Sequence, residues 1–145
     1  MSDKKAVFFC SASHDIKAEY NQAAREIVRA ACLSGYDIVS GGTVKGTMGV
    51  ICDDKMSSRK DAMREGTCLA VALPGGIGTL DELSETFCLA KMGLYKGRVV
   101  VFNVDGFYQP FKEQLEQYVR GGFMDAEAMS LISYPETVEE VKALL

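Results

Sequence analysis

One histidine, His14, is all the chain holds. A His-based zinc site or a Ser-His triad therefore lacks its parts, and no metal site is expected. No Cys-x-x-Cys pair occurs. The five cysteines, Cys10, Cys32, Cys52, Cys68 and Cys88, stand far apart and are odd in number. That spacing argues against a disulfide framework and for mostly buried thiols in a reducing cytoplasm. No stretch is long and apolar enough to span a bilayer, and the run in MSDKKAVFFC is too short for a signal peptide. There is no long basic stripe, and the net charge is −4, so neither nucleic acid nor a membrane is an expected partner. Repeats, low-complexity tracts and linkers are missing as well.

What remains fits a single domain over residues 1–145, with 48% hydrophobic residues to build a core. Apolar runs alternate with helical periodicity. Strands are expected at Ala6–Ser11, Tyr36–Val39, Thr67–Leu73, Arg98–Asn103 and Leu131–Tyr134. Helices are expected at Asp15–Ser34, Asp54–Gly66, Thr79–Tyr95, Phe107–Arg120 and Thr137–Leu145, with Gly35 a natural stop for the first. The strands are apolar throughout rather than alternating, which predicts a parallel α/β sheet covered by helices on both faces. Phe87, Met92, Leu94 and Tyr95 read as core first and as a subunit contact second.

In such sheets, ligands bind beyond the carboxyl ends of the strands. Two glycine-rich turns fall there, SGGTVKGTMG (Ser40–Gly49) and PGGIGT (Pro74–Thr79). Neither follows the first strand or spells GxGxxG, which disfavours a standard NAD site. Together they suit one phosphate-bearing ligand, because glycine admits a close approach and amides at a helix start face the anion. Thr79 and Glu82 also spell a capping box, T-x-x-E. In MSSRKDAM, Lys60 and Arg64 read as a solvated face. Arg59, near the helix start, is placed to clamp phosphate or ribose hydroxyls.

The ordered set SGGTVKGTMG, MSSRKDAM and PGGIGTLDE resembles the LOG ("Lonely Guy") family of cytokinin riboside 5′-monophosphate phosphoribohydrolases, long labelled "possible lysine decarboxylase". VVVFNVDGFYQPF and GGFM are similar to the family's later segments. The resemblance implies a Rossmann-like, doubly wound nucleotide-binding domain, a dimer, and hydrolysis of the N-glycosidic bond of an adenine-type nucleotide without a cofactor. It implies Glu82 and Arg59 as the catalytic pair. Gly75, Gly76, Gly78 and Thr79 would hold the 5′-phosphate, helped by Gly41, Gly42 and Lys60. A carboxylate suits that chemistry, since cleavage at C1′ builds positive charge on the ribose. Nothing marks a pyridoxal-phosphate lysine.

Two departures from the family pattern stand out. Only Val50–Lys55 lies between the first glycine turn and MSSRK, where the family carries about thirty more residues, roughly one strand-plus-crossover unit. One edge strand unit is therefore expected to be absent. The first strand's turn, CSASHD, also lacks the family's glycine and serine run, and the base-binding side is altered with it. The rival reading is a nucleotide or molybdenum-cofactor carrier on the same fold, which binds without cleaving; Glu82 with Arg59 favours the enzyme.

Overall fold

A computed structural model describes residues 4–11, 13, 15–41 and 56–145, with backbone alone at 56–59. Five strands are present: β1 (Lys4–Phe9), β2 (Tyr36–Ser40), β3 (Leu69–Ala72), β4 (Arg98–Val101) and β5 (Ile132–Ser133). They alternate with α1 (Ala18–Leu33), α2 (Met56–Arg64), α3 (Ile77–Lys91), α4 (Gln109–Arg120) and α5 (Val138–Lys142). Short 3-10 segments at Val104–Gly106 and Ala126–Leu131 complete the order. Every expected strand and helix has its counterpart, with ends moved by a few residues.

The strands pair in the order β2-β1-β3-β4-β5, all parallel. Their apolar runs explain this, because both sides of each inner strand are covered. Ala6, Phe8, Leu69, Val71, Val100 and Phe102 face Ile27 and Ala31 of α1 and Val141 of α5. The alternate residues Val7, Phe9, Ala70, Ala72, Val99 and Val101 face Leu83 and Phe87 of α3, Leu115 of α4 and Met63 of α2. Adjacent residues thus point to opposite faces, and each face has its own helices. The fold is a doubly wound, Rossmann-like sheet.

Gly35 ends α1 with a positive φ of 85°, a backbone state that side chains resist. The four described cysteines are free and exposed, which corrects the expectation of mostly buried thiols. Cys10 and Cys68 flank strands, and Cys32 and Cys88 lie on the outward sides of α1 and α3. The apolar tail of α3 divides: Phe87 and Tyr95 are buried, whereas Met92 and Leu94 lie exposed beyond the helix end.

Strand order fixes where a ligand can enter. The chain steps outward from β1 to β2, then crosses back to β3 on the other side of β1. The connections leaving β1 and β3 diverge, and a crevice opens between their carboxyl ends. Among the described strands, β2 and β5 form the two edges. The carboxyl end of β2 and the start of α2 share one rim. Because a helix-plus-strand unit begins and ends at that rim, the chain can lack one without reversing direction.

Candidate active site at the strand ends

The β3–α3 connection occupies the crevice. Leu73 extends the ladder by donating its N–H to Phe9 O at 2.9 Å. Its own carbonyl accepts from the hydroxyl of Tyr108 at 2.6 Å. Tyr108 is buried, and its N–H donates to Asn103 Oδ1 at 2.7 Å. Asn103 in turn donates from its backbone to Pro135 O at 2.8 Å. This chain of bonds pins the exit of β3 just before Pro74.

None of Gly75, Gly76 and Gly78 has a positive φ, so backbone strain does not explain them. Close approach explains Gly75, where a Cβ would sit 2.7 Å from the Cβ of Thr79. At Gly76 and Gly78 a Cβ would meet nothing within 4 Å. Gly76 is the N-cap of α3, in extended conformation, with no side chain capping the helix start. The capping box expected from Thr79 and Glu82 is therefore absent. Thr79 lies inside the first turn and is buried. The N-cap Gly76 offers no side-chain cap to the leading amides of α3, which stand at the positive end of the helix dipole beside two glycines that leave room. Such a helix start favours negative charge nearby.

Glu82 follows Thr79 by one turn and is half-buried. Its backbone carbonyl accepts from the fully buried Thr86 hydroxyl at 2.7 Å. Cys10 is exposed as a residue, yet partial desolvation of its thiol, and then the negative field of Glu82, raise it above its ordinary value of 9.0. The start of α3 follows the carboxyl end of β3, and Glu82 lies in the second turn of that helix.

Arg59 is the fourth residue of α2, and its neighbour Lys60 fixes the level of that helix. The Lys60 ammonium bonds Asp81 at 3.0 Å and also Glu85. One turn further, Arg64 Nη2 bonds Glu85 at 2.9 Å and Asp61 at 2.8 Å. The two helices therefore run side by side in the same direction. Arg59 directly precedes Lys60 in α2, and Glu82 directly follows Asp81 in α3. The expectation of a solvated face is corrected: Arg64 is buried, and Lys60 is enclosed between α2 and α3. The reason is two carboxylates on α3, which sequence spacing alone does not bring to α2. Hydrogen bonds that Lys60 donates to Glu85 and Asp81 hold it above its ordinary 10.5. A Schiff-base lysine needs the opposite shift.

Gly41 follows β2 at the same rim and is half-buried; Gly42 lies outside the described residues. Among the described residues no group of three or more His, Cys, Asp or Glu is placed to hold a metal ion. Nor is any helix long and apolar enough to cross a membrane. The sequence marked PGGIGT and Glu82 but gave no role to Cys10, Asn103 or Tyr108. The segment VFNVDGFYQPF carried the only signal for the last two.

Residues 21–145 match the model of the family described as possible lysine decarboxylase. The rice protein "Cytokinin riboside 5′-monophosphate phosphoribohydrolase LOG" is 29% identical over 171 residues, which take in 95% of this chain and 71% of that protein. The Arabidopsis thaliana "Cytokinin riboside 5′-monophosphate phosphoribohydrolase LOG4" is 29% identical over 170 residues, 94% of this chain and 79% of that protein. Both alignments exceed the 145 residues of this chain, so they open gaps in it. A crystal structure of a conserved protein from Enterococcus faecalis V583 superposes with a TM-score of 0.51 at 15% identity, covering 98% of this chain and 99% of that one. The likeness bears on the fold alone.

Proposed function

The chain belongs to the LOG family, the one described as possible lysine decarboxylase, and on that premise we propose that it hydrolyses the N-glycosidic bond of adenine-type nucleoside 5′-monophosphates. The products are free base and ribose 5-phosphate, and the substrate is a cytokinin riboside monophosphate or AMP. One observation carries this reading most directly. The uncovered start of α3 and the Glu82 carboxylate lie one turn apart on a single helix, at the crevice between β1 and β3. A phosphate on the first would bring a ribose to the second.

In this mechanism the amides from Gly76 to Thr79 hold the 5′-phosphate, with Gly41 and Gly42 closing from the β2 side. The bond from C1′ to the base nitrogen breaks, and its electron pair leaves with the base. Positive charge develops on the ribose, where the Glu82 carboxylate faces it. Glu82 also orients a water molecule, whose oxygen bonds C1′ while its proton passes to the departing base. Arg59 binds the nucleotide from α2 or offsets charge on the leaving group. Lys60, engaged by Asp81 and Glu85, serves by tying α2, which carries Arg59, to α3, which carries Glu82.

Two copies would form a homodimer in the cytoplasm across the apolar groove between α3 and α4. That groove is lined by Phe87, Phe111 and Tyr118 and carries the 85% exposed Phe123. The rival reading, a nucleotide or molybdenum-cofactor carrier, draws on the gaps that this chain leaves against its relatives. Chromatography of base released from AMP and from N6-isopentenyl AMP, with Glu82→Gln alongside, separates the two. Base release by the parent and its loss in the variant are expected. Tight AMP binding without release from either nucleotide would transfer the case to the carrier.

A further inference from the structure

A cavity opens at the other end of the sheet from the crevice. Thr67 precedes β3 and Lys96 precedes β4, and with the last turn of α2 they enclose about 670 Å³ at the amino ends of those strands, within the range of small-molecule sites. Arg64 stands in the cavity wall. Its side chain is only 5% exposed, and its Nη2 bonds Asp61 and Glu85. Its Nη1 is buried with no hydrogen-bond partner among the described residues, a costly arrangement unless an acceptor comes to it. Lys96, exposed, brings a second cation to the same cavity. The two hydroxyls beside them have no proton to spare. Thr67 donates to Arg64 O at 2.8 Å, so the Tyr95 hydroxyl, 3.1 Å from Thr67 Oγ1, donates to that oxygen. Burial raises the Tyr95 phenol above its ordinary 10.0, so it keeps its proton. The rest of the wall is apolar, formed by Leu89, the Tyr95 ring and the 69% exposed Leu94.

We propose that this cavity is a second ligand site, and that it takes a small monocarboxylate with an aliphatic body. A carboxylate supplies the acceptor that Arg64 Nη1 lacks and pairs with Lys96 in a charge-assisted contact. The aliphatic body lies on Leu89, Leu94 and the Tyr95 ring, where its burial adds affinity. A second negative charge is repelled, because Asp61 and Glu65 also line the cavity. Phosphates and dicarboxylates are therefore disfavoured, which sets this site apart from the crevice at the strands' carboxyl ends. The inference does not depend on the hydrolase reading. Arg64 and Lys60 share Glu85, so a ligand drawing on Arg64 bears directly on the contact that ties α2 to α3.

Calorimetric titration of the full chain with hexanoate tests this, against hexanol, acetate and adipate. Hexanol lacks the charge, acetate lacks the body, and adipate carries a second charge. Hexanoate is expected to bind at least about tenfold tighter than each, the scale of one charge-assisted hydrogen bond. Lys96→Glu, at an exposed position, should weaken hexanoate about tenfold or more while leaving the thermal melt unchanged. Arg64→Lys keeps a cation but removes Nη1, and should weaken hexanoate likewise. Hexanoate binding no tighter than hexanol or acetate overturns the proposal, as does adipate binding equal to hexanoate. Affinity unchanged in Lys96→Glu also overturns it, since the ligand then sits elsewhere, as in the groove between α3 and α4. If Arg64→Lys fails to fold, Lys96→Glu decides alone.

Discussion

Thr79 fills the space that a side chain at Gly75 would need. A Cβ there would stand 2.7 Å from the Thr79 Cβ, and Thr79 is buried inside the first turn of α3. Gly78, one residue before Thr79, has open space around it. The two glycines therefore differ: packing requires the first, and the second leaves open space. Gly75→Ala is expected to destabilise the fold by about 1–3 kcal/mol, the usual cost of overpacking. Gly78→Ala should stabilise α3 by up to about 1 kcal/mol while weakening ribose 5-phosphate binding. Thermal melts with calorimetric titration check both, and undiminished binding by Gly78→Ala would remove the glycine cradle from the mechanism.

Glu82→Gln keeps size and helix context but removes the charge that faces the ribose. A fall in kcat of about a thousandfold is expected, the scale of removing an electrostatic partner from a transition state. AMP affinity should stay within a few-fold. Single-turnover base release measures it, and a loss below tenfold would take Glu82 out of the chemistry.

The Lys60 bridge sets a pH window for the α2–α3 contact. Burial alone would raise the Glu85 carboxyl, but hydrogen bonds from Lys60 and Arg64 outweigh it and hold it below its ordinary 4.5. A carboxyl depressed in the folded state stabilises above its unfolded value and loses that contribution as pH falls through the folded one. Lys60 is raised above 10.5, so its share is complete below 10.5 and is lost as pH climbs through the folded value. The bridge is thus constant from about pH 5 to 10. Melts of the parent and of Lys60→Met should differ by a fixed amount between about pH 5 and 10 and converge in stronger acid. A difference that keeps growing on acidification would contradict the pairing.

Tyr108→Phe tests the pin on β3. The ring contact with Phe107 survives, but the Leu73 carbonyl loses its 2.6 Å partner. A cost of about 1–2 kcal/mol is expected, with ribose 5-phosphate affinity reduced several-fold as the turn before Pro74 loosens. Burial, and then the nearby Cys10, push the hydroxyl above its ordinary 10.0. It therefore stays a donor through mildly alkaline pH, and phenolate absorbance should show Tyr108 silent where exposed tyrosines titrate. Unchanged ribose 5-phosphate affinity in the variant would leave the pin purely structural.

The layering was legible because AVFF, LAVA and VVV can only be strands covered on both sides. PGGIGT declared itself because three glycines in four positions leave a turn open. The start of α3 was misread, since T-x-x-E describes Thr79 to Glu82 and Thr137 to Glu140 equally well. Only the second is a capping box, with Thr137 extended and Glu140 reaching back to it. The difference lies in Gly76, which starts the helix early and puts Thr79 under Gly75. Lys60 with Glu85 and Tyr108 with Leu73 were not legible at all. Each joins residues more than twenty positions apart, and no local pattern encodes such a meeting. The left-handed φ of 53° at Asp105, which turns the chain towards Tyr108, likewise leaves no mark in the sequence.

The strand order has a consequence for how the chain is made. β1 is synthesised first, yet it lies between β2 and β3 and is apolar on both sides at Ala6–Phe9. Its β2 side is closed within the first forty residues. Its other side pairs with Leu69–Ala72 and stays an open strand edge until that segment has left the ribosome. At about 5–20 residues per second, the nascent chain carries an unpaired apolar edge for several seconds. Residues 41–68, lying between the two pairings, set the length of that exposure.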